Sequence, residues 1–320
     1  MGMLACHRGS FEELEFRARA ATDTEDPVLA VLGHILAARW HHVNGEPTIA
    51  AEMLEVADRF ANTREHKLLV HIERLRLARR VGRLDDSQSL LATLDDLTAG
   101  EHDERVLGKS FMASGHVLVT LQQWDLSLAA FLKAQKYFQT ASMVLGEADA
   151  CNGAGRVLAK LGRVDEAVEM LSEASQIYSS LNHPAEVFPM LTQGVIELES
   201  GRYLAARKTM QLALERVIAS GRLDLIGPTH AVLVPCAAAA GDWEAFDDHL
   251  MQARSRLASG NVLDKDIAEP LTLAGKLARA QSQDDRARAV YDVARQQWLG
   301  LGESDQVEAI DEEVFLLGDG

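Results

Sequence analysis

Catalysis and metal binding need particular side chains at particular spacings, and the stretch VLGKS (106–110) is the first to test. Its Gly-Lys-Ser matches the tail of a phosphate-binding loop, which also requires a glycine five residues before Gly108. That position is Asp103 and no strand precedes it, so the stretch reads as a helix start. NGAGRVLAKLG (152–162) has the Gly-x-Gly of a nucleotide loop, but Gly155 falls into a repeat column described below. Eleven histidines raise the question of a metal. His41 and His42 are adjacent and point different ways on a helix, and His66 and His71 are five apart, not the four of a helical zinc pair. They read as core, surface or groove side chains, and neither a metal nor another cofactor is expected. No Ser-His-Asp or Cys-His arrangement stands out. Cys6, Cys151 and Cys236 lack CxxC spacing and read as reduced thiols of a cytosolic protein.

Composition narrows the classes further. The chain has 320 residues, 47% hydrophobic and 25% charged, enough apolar material for a core and too much for disorder. A formal charge of −16 argues against a general nucleic-acid binder, because neutralising phosphates takes clustered Lys and Arg. The start, MGMLACHRGS, has Cys6 where myristoylation wants Ser or Thr, and no room for a lipoprotein signal before the cysteine. No run of 18 apolar residues occurs, so a soluble, cytoplasmic protein without a membrane helix is expected.

The elements that position these residues come from a repeat. LGRVDEA (161–167) recurs as SGRYLAA (200–206), AGDWEAF (240–246), QSQDDRA (281–287), LQQWDLS (121–127), VGRLDDS (81–87) and, more loosely, NGEPTIA (44–50). Aligning them gives a column of mostly small residues: Ala50, Ser87, Ser127, Ala167, Ala206, Phe246 and Ala287. Seven residues on stand Ala57, Leu94, Ala134, Ala174, Ala213, Ala253 and Ala294. Four after the first column the residues are large: Leu54, Leu91, Phe131, Leu171, Met210, Leu250 and Tyr291. Twelve before it stand Ala38, Leu75, Gly115, Gly155, Gly194, Val234 and Gly275. Small residues on two helices let their axes approach while a large neighbour fills the space alongside. Glycine near each turn ends one helix in the left-handed conformation, and Asp85, Asp165, Asp242 and Asp284 sit where the next helix exposes its first N–H groups.

This pattern resembles the tetratricopeptide repeat family over about residues 27 to 300. The period of about 40 exceeds the family's usual 34, and so resembles the longer-helix variants of kinesin light chains and MalT-like bacterial regulators. The resemblance implies an all-α fold: a right-handed α-solenoid of antiparallel helix pairs, with about seven repeats in 27–302. Residues 1–26 read as an N-terminal half-repeat, as if the chain began in mid-repeat of a longer protein, and 303–320 as a C-terminal capping helix. Leu75, Leu94, Val234 and Phe246 break the small columns, so the second and sixth repeats are expected to pack at unusual angles.

In that family the first helix of each pair lines a concave groove. Carrying its inward positions over, residue by residue, gives Arg39, Arg76, Arg79, Lys109, Met112, His116, Asn152, Arg156, Lys160 and Lys276 as candidates for binding a peptide. The second helices carry acids instead, among them Glu55, Asp58, Glu166, Asp242 and Asp247. Arginine's planar fork suits carboxylates, and Asn152 one turn before Arg156 resembles the polar clamps with which related repeats hold acidic tails. The competing reading is that these cations pair with neighbouring acids or solvate the face. Further on the inner positions turn apolar, through Phe188, Leu191, Val195 and Leu198 and then Ala231, Pro235 and Ala238. Pro235 is expected to kink its helix, and this region reads as a distortion more than a pocket for a partner helix.

The resulting expectation is a non-catalytic scaffold or adaptor that binds a protein or peptide, acidic in character, and forms the C-terminal repeats of a larger bacterial signalling protein such as a Ser/Thr kinase or a MalT-like ATPase regulator. A ligand-sensing domain that changes conformation on binding is the alternative, and an enzyme the remote one. Self-association through apolar solenoid ends stays open.

Overall fold

The computed structural model describes residues 26–81, 84–100, 103–260 and 263–317. The expected half-repeat lies outside the described residues except for Asp26, which caps the first helix by accepting the Val28 N–H at 2.9 Å. Every regular element among the described residues is helical, and the helices follow one another as pairs. These are α1 (Pro27–Val43) and α2 (Pro47–Phe60), α3 (Arg64–Val81) and α4 (Leu84–Thr98), and α5 (Glu104–Thr120) and α6 (Trp124–Thr140); α7 (Val144–Lys160) and α8 (Val164–Ser180) follow in the chain. Then come α9 (Val187–Glu199) and α10 (Tyr203–Ala219), α11 (Ile226–Ala240) and α12 (Trp243–Gly260), and α13 (Lys265–Ala280) and α14 (Asp284–Leu301). A last helix, α15 (Ser304–Phe315), follows, and its Val307 and Ile310 join the core built by α13 and α14. The chain forms two compact units, Met1–Leu161 and Gly162–Gly320.

The two small columns of the repeat are buried throughout, from Ala50 and Ala57 to Ala287 and Ala294. Leu75, Leu94, Val234 and Phe246 occupy the same buried places with larger side chains. Hairpin turns close on left-handed residues, Gly201 and Gly241 where glycine is present but also Gln122, Ser142, Asn182 and Ser282. Glycine therefore eases these turns without being required by them.

Inside the first unit two phenylalanines of α6 are each clasped between glycines of α5 and α7. A methyl group on Gly108 or Gly146 would stand 2.6 or 2.8 Å from the Phe138 ring, and one on Gly115 or Gly153 would stand 2.8 or 2.6 Å from Phe131. The repeat column runs through Gly115 and Gly155. Gly155 is buried, and a further glycine of α7, Gly153, makes room for Phe131. Gly108 likewise sits inside helix α5, so VLGKS is packing sequence and not a loop around a phosphate. In the second unit Met210 lies against Gly194, where a methyl would approach to 2.6 Å, and Tyr291 against Gly275.

Helix α11 is buried on nearly all sides, from Ala231 to Ala238, and runs through Pro235 to Ala240. Its apolar residues fill core. The window Leu223–Ala240 has a mean hydropathy of 1.4 over 18 residues, so one stretch is long and apolar enough to cross a membrane by composition. Two features fit a core helix instead: 67% of the window is buried, and His230 lies within it. Cys151 and Cys236 are both buried, and burial pushes Cys236 up to about 12, which makes it a poor nucleophile.

Candidate binding face

The first helices of the first unit bring most of the basic candidates together. Arg39 comes from α1, Arg76 and Arg79 from α3, Lys109 and His116 from α5, and Arg156 from α7. Burial and then the charges of Arg39, Arg76 and Arg105 lower the Lys109 ammonium below its ordinary value. Burial, followed by Arg79, Arg156 and Arg76, depresses His116 to about 3. Arg76 acts on both groups, so the two sites share one field. His116 sits edge-on to Phe131 at 5.1 Å between ring centroids. It is neutral at pH 7 and adds no positive charge to this row.

One acid in the cluster was not foreseen. Glu73 of α3 is 6% exposed and accepts Arg39 at 2.5 Å and Arg76 at 2.6 Å. Burial alone would raise its pKa, but the Arg39 hydrogen bond and the two guanidinium charges outweigh it and hold the carboxyl below its usual range. Two of the row's arginines are thus partly neutralised from within. The signal was present in the sequence, since Glu73 stands three residues before Arg76, the spacing that brings helical side chains together.

Other members keep their charge available. Lys109 is half-buried and Arg156 exposed, and neither forms an ion pair with the described residues. Asn152, one turn before Arg156, has a buried side-chain oxygen with no hydrogen-bond partner. A buried polar atom left so is costly unless something arrives to bond it. Arg105, which no column flagged, adds charge at the edge but spends it on Asp103 at 2.5 Å. Met112 packs beside Phe138 and Ala134, serving the core as much as the face. Lys160 is exposed at the end of α7. Lys276, exposed on α13 in the second unit, is not among the charges acting on Lys109 or His116.

The second-helix acids are engaged by arginines about one repeat away: Asp165 with Arg202 at 2.8 Å, Asp242 with Arg207 at 2.7 Å, and Asp247 with Arg286 at 2.7 Å. Arg74 reaches both Glu55 and Asp58. Exposed pairs of this kind add little stability each. They engage part of the acidic surface of the second helices. No group of three metal-ligating side chains occurs among the described residues.

Repeated helical hairpins with small residues at their contacts and a charged row along one face define an α-solenoid. Residues 146–219 match the family model of the tetratricopeptide repeat, and the hairpin seen there recurs on both sides. No curated protein matches the chain in sequence. The fold is similar to that of a Signal Transduction ATPase with Numerous Domains carrying a tetratricopeptide repeat sensor, from Pyrococcus horikoshii (TM-score 0.76, 12% identity). That match covers 95% of this chain but 46% of the archaeal protein, so this chain spans under half its length. RapI in its apo form is also similar, with a TM-score of 0.71, 14% identity and coverage of 90% of this chain and 81% of that one. Aspartyl phosphate phosphatase F from Bacillus subtilis shares the fold at a TM-score of 0.60 and 11% identity, over 96% of this chain and 88% of its own. A phosphatase among these neighbours means that the architecture by itself does not exclude chemistry.

Proposed function

We propose that this protein is a non-catalytic binding module whose first unit takes an acidic protein segment or peptide on the face formed by α1, α3, α5 and α7. The observation that carries the reading is the surplus of positive charge around Lys109 and Arg156. In a protein of net charge −16 such a surplus is preserved only locally, and the low-dielectric surroundings of a half-buried ammonium strengthen its attraction for a carboxylate. Asn152 supplies the hydrogen-bonding group that an extended backbone could satisfy. A cytoplasmic setting and a place in a larger signalling protein, similar to the archaeal ATPase with its sensor, complete the reading. The test is fluorescence anisotropy with a labelled glutamate-rich peptide, comparing the wild type with Lys109→Ala/Arg156→Ala. Equal affinity for the two proteins would refute the reading.

A sensing role is favoured by one finding, the name of that archaeal relative, whose repeats are a sensor. Hydrogen exchange with and without the peptide separates the two: protection confined to the face indicates docking, whereas protection spreading through both units indicates a sensor.

A further inference from the structure

The second unit contains a cavity of about 470 Å³ with α9 as its floor and α8 and α10 as its walls. At the bottom lies Glu197, only 5% exposed. One carboxylate oxygen accepts Gln193 Nε2 at 2.8 Å and the other accepts Thr209 Oγ1 at 2.8 Å. Ser172 Oγ in turn donates to Gln193 Oε1 at 3.3 Å. Each link ends on Glu197, so the chain of donors feeds one carboxylate. No cation among the described residues forms an ion pair with it. Arg207 is committed to Asp242, and Arg216 stands 3.7 Å from Glu186. Lys208 lines the wall from an exposed position.

The repeat makes this arrangement unusual. Three residues beyond the fourth column stand His41, Ala78, Leu118, Leu158, Glu197, Ala237 and Ala278. Where that position is buried it is otherwise apolar, as at Ala78, Leu158, Ala237 and Ala278. The matching cavity of the first unit, among α2, α3 and α4, has Ala78 where the second unit has Glu197. There the residue matching Gln193 is Arg74, and those matching Ser172 and Ser175 are Glu55 and Asp58, which Arg74 pairs at 3.0 and 3.1 Å. One cavity is closed electrostatically by its own arginine. In the other that arginine is a glutamine, its acids are serines, and a new carboxylate lies on the floor. A buried carboxylate is costly unless paired, and a breach of the local rule marks a functional place more often than an accident.

We propose that this cavity binds a compact organic cation, an alkylguanidinium or alkylammonium group, with Glu197 as counter-ion and Ser172, Gln193 and Thr209 as its hydrogen-bonding surround. The volume lies in the range of small-ligand sites and exceeds what one such head group needs, so the group arrives on a longer body. That body is either a free amine or a side chain of another protein. This site is independent of the face on the first unit.

Calorimetric titration of the whole protein at low salt tests it with two probes: agmatine, a free guanidinium compound, and an acetylated, amidated peptide with a single arginine. Saturable binding of either supports the proposal, and the tighter probe identifies the source. Glu197→Gln keeps the shape: its amide oxygen can still accept from Gln193, and its NH2 can donate to Thr209 Oγ1 once that hydroxyl turns round, so the change removes the charge and should weaken binding at least about tenfold. The same change should leave the unligated protein as stable or more stable in urea, because it removes a buried charge that has no counter-ion. Leu212→Trp, which fills the mouth from a 46% exposed position, should block binding without touching Glu197. No saturation by either probe, undiminished binding by Glu197→Gln, or a lower urea midpoint for that variant each overturns the proposal.

Discussion

Glu73 accepts the Arg39 guanidinium at 2.5 Å across an interval of 34 residues, joining the first helices of the first two pairs. Arg76 shares the same oxygen. The pairing is structural, and it also withdraws two cations from the face. Glu73→Gln should therefore act in opposite directions on two measurements. Stability in urea should fall by about 1–3 kcal/mol, since a hydrogen-bonded, nearly buried charge pair is broken. Affinity for an acidic peptide should rise, because Arg39 and Arg76 become available. The sign with pH follows from the lowered carboxyl: its contribution is present above the unfolded value and is lost as pH falls through the folded one. A variant that loses both stability and affinity would show that Glu73 only holds the helices in place.

The phenylalanine clasp predicts that alanine, usually better than glycine in a helix by about 1 kcal/mol, is worse at Gly108 and Gly146. The added methyl would meet the Phe138 ring at 2.6 or 2.8 Å, and that ring has no side to move toward because the other glycine is there. Overpacking of this kind costs about 1–3 kcal/mol. Gly108→Ala in combination with Phe138→Leu should cost less than the two changes summed, because the smaller side chain relieves the contact. Urea melts of the four proteins give the cycle directly, and strict additivity would contradict the clasp.

Among the basic residues the structure ranks the losses expected on peptide binding. Lys109→Ala and Arg156→Ala should each weaken an acidic peptide by about tenfold, the loss of a charge-assisted hydrogen bond. Arg39→Ala should cost less, since its guanidinium is already engaged by Glu73. His116→Gln should leave the salt dependence unaltered, because the imidazole carries no charge at neutral pH. Anisotropy titrations at two salt concentrations separate the charged from the neutral contributors.

Much of this architecture was legible from residue types alone, for a physical reason. A helix pair that repeats with a period near 40 must place its small residues at every contact, and burial of Ala134, Ala174, Ala213, Ala253 and Ala294 follows from that necessity. The finer packing was not legible, because Gly108, Gly146 and Gly153 make room for Phe138 and Phe131 from outside the repeat columns. Pairing of charges was harder still. That Arg39 and Arg76 pair with an acid was one of two open readings, but that the acid is Glu73 depends on how α1 and α3 meet, and the neutral state of His116 depends on its burial. Glu197 was hidden for the opposite reason: a single glutamate in an amphipathic helix looks like surface until the column around it proves to be core.

The pair of histidines on α11 and α12 yields a prediction of pH dependence in the second unit. His230 and His249 meet through their Nδ1 atoms at 3.0 Å, a contact that requires at least one neutral ring. Burial, then the charge of His249, depresses His230 to about 4, with Asp248 pulling the other way and Arg256 reinforcing the shift. His249 is lowered too, by burial first, while Asp248 and Asp242 oppose the effect and Arg207 adds to it. An unfolded histidine takes its proton near pH 6.5, so the unfolded chain binds more protons than the folded one between that value and about 4. Stability should hence be complete above pH 7 and decline as the solution is acidified through that window, by about 3 kcal/mol from His230. His71 and His116 push in the same direction from the first unit, so acid sensitivity alone does not identify the source. His230→Gln provides the discrimination. Its unfolding free energy should lie below the wild type at pH 7.5, and the gap should shrink or reverse at pH 5, whereas a gap that stays constant between the two pH values would remove the pair from the account.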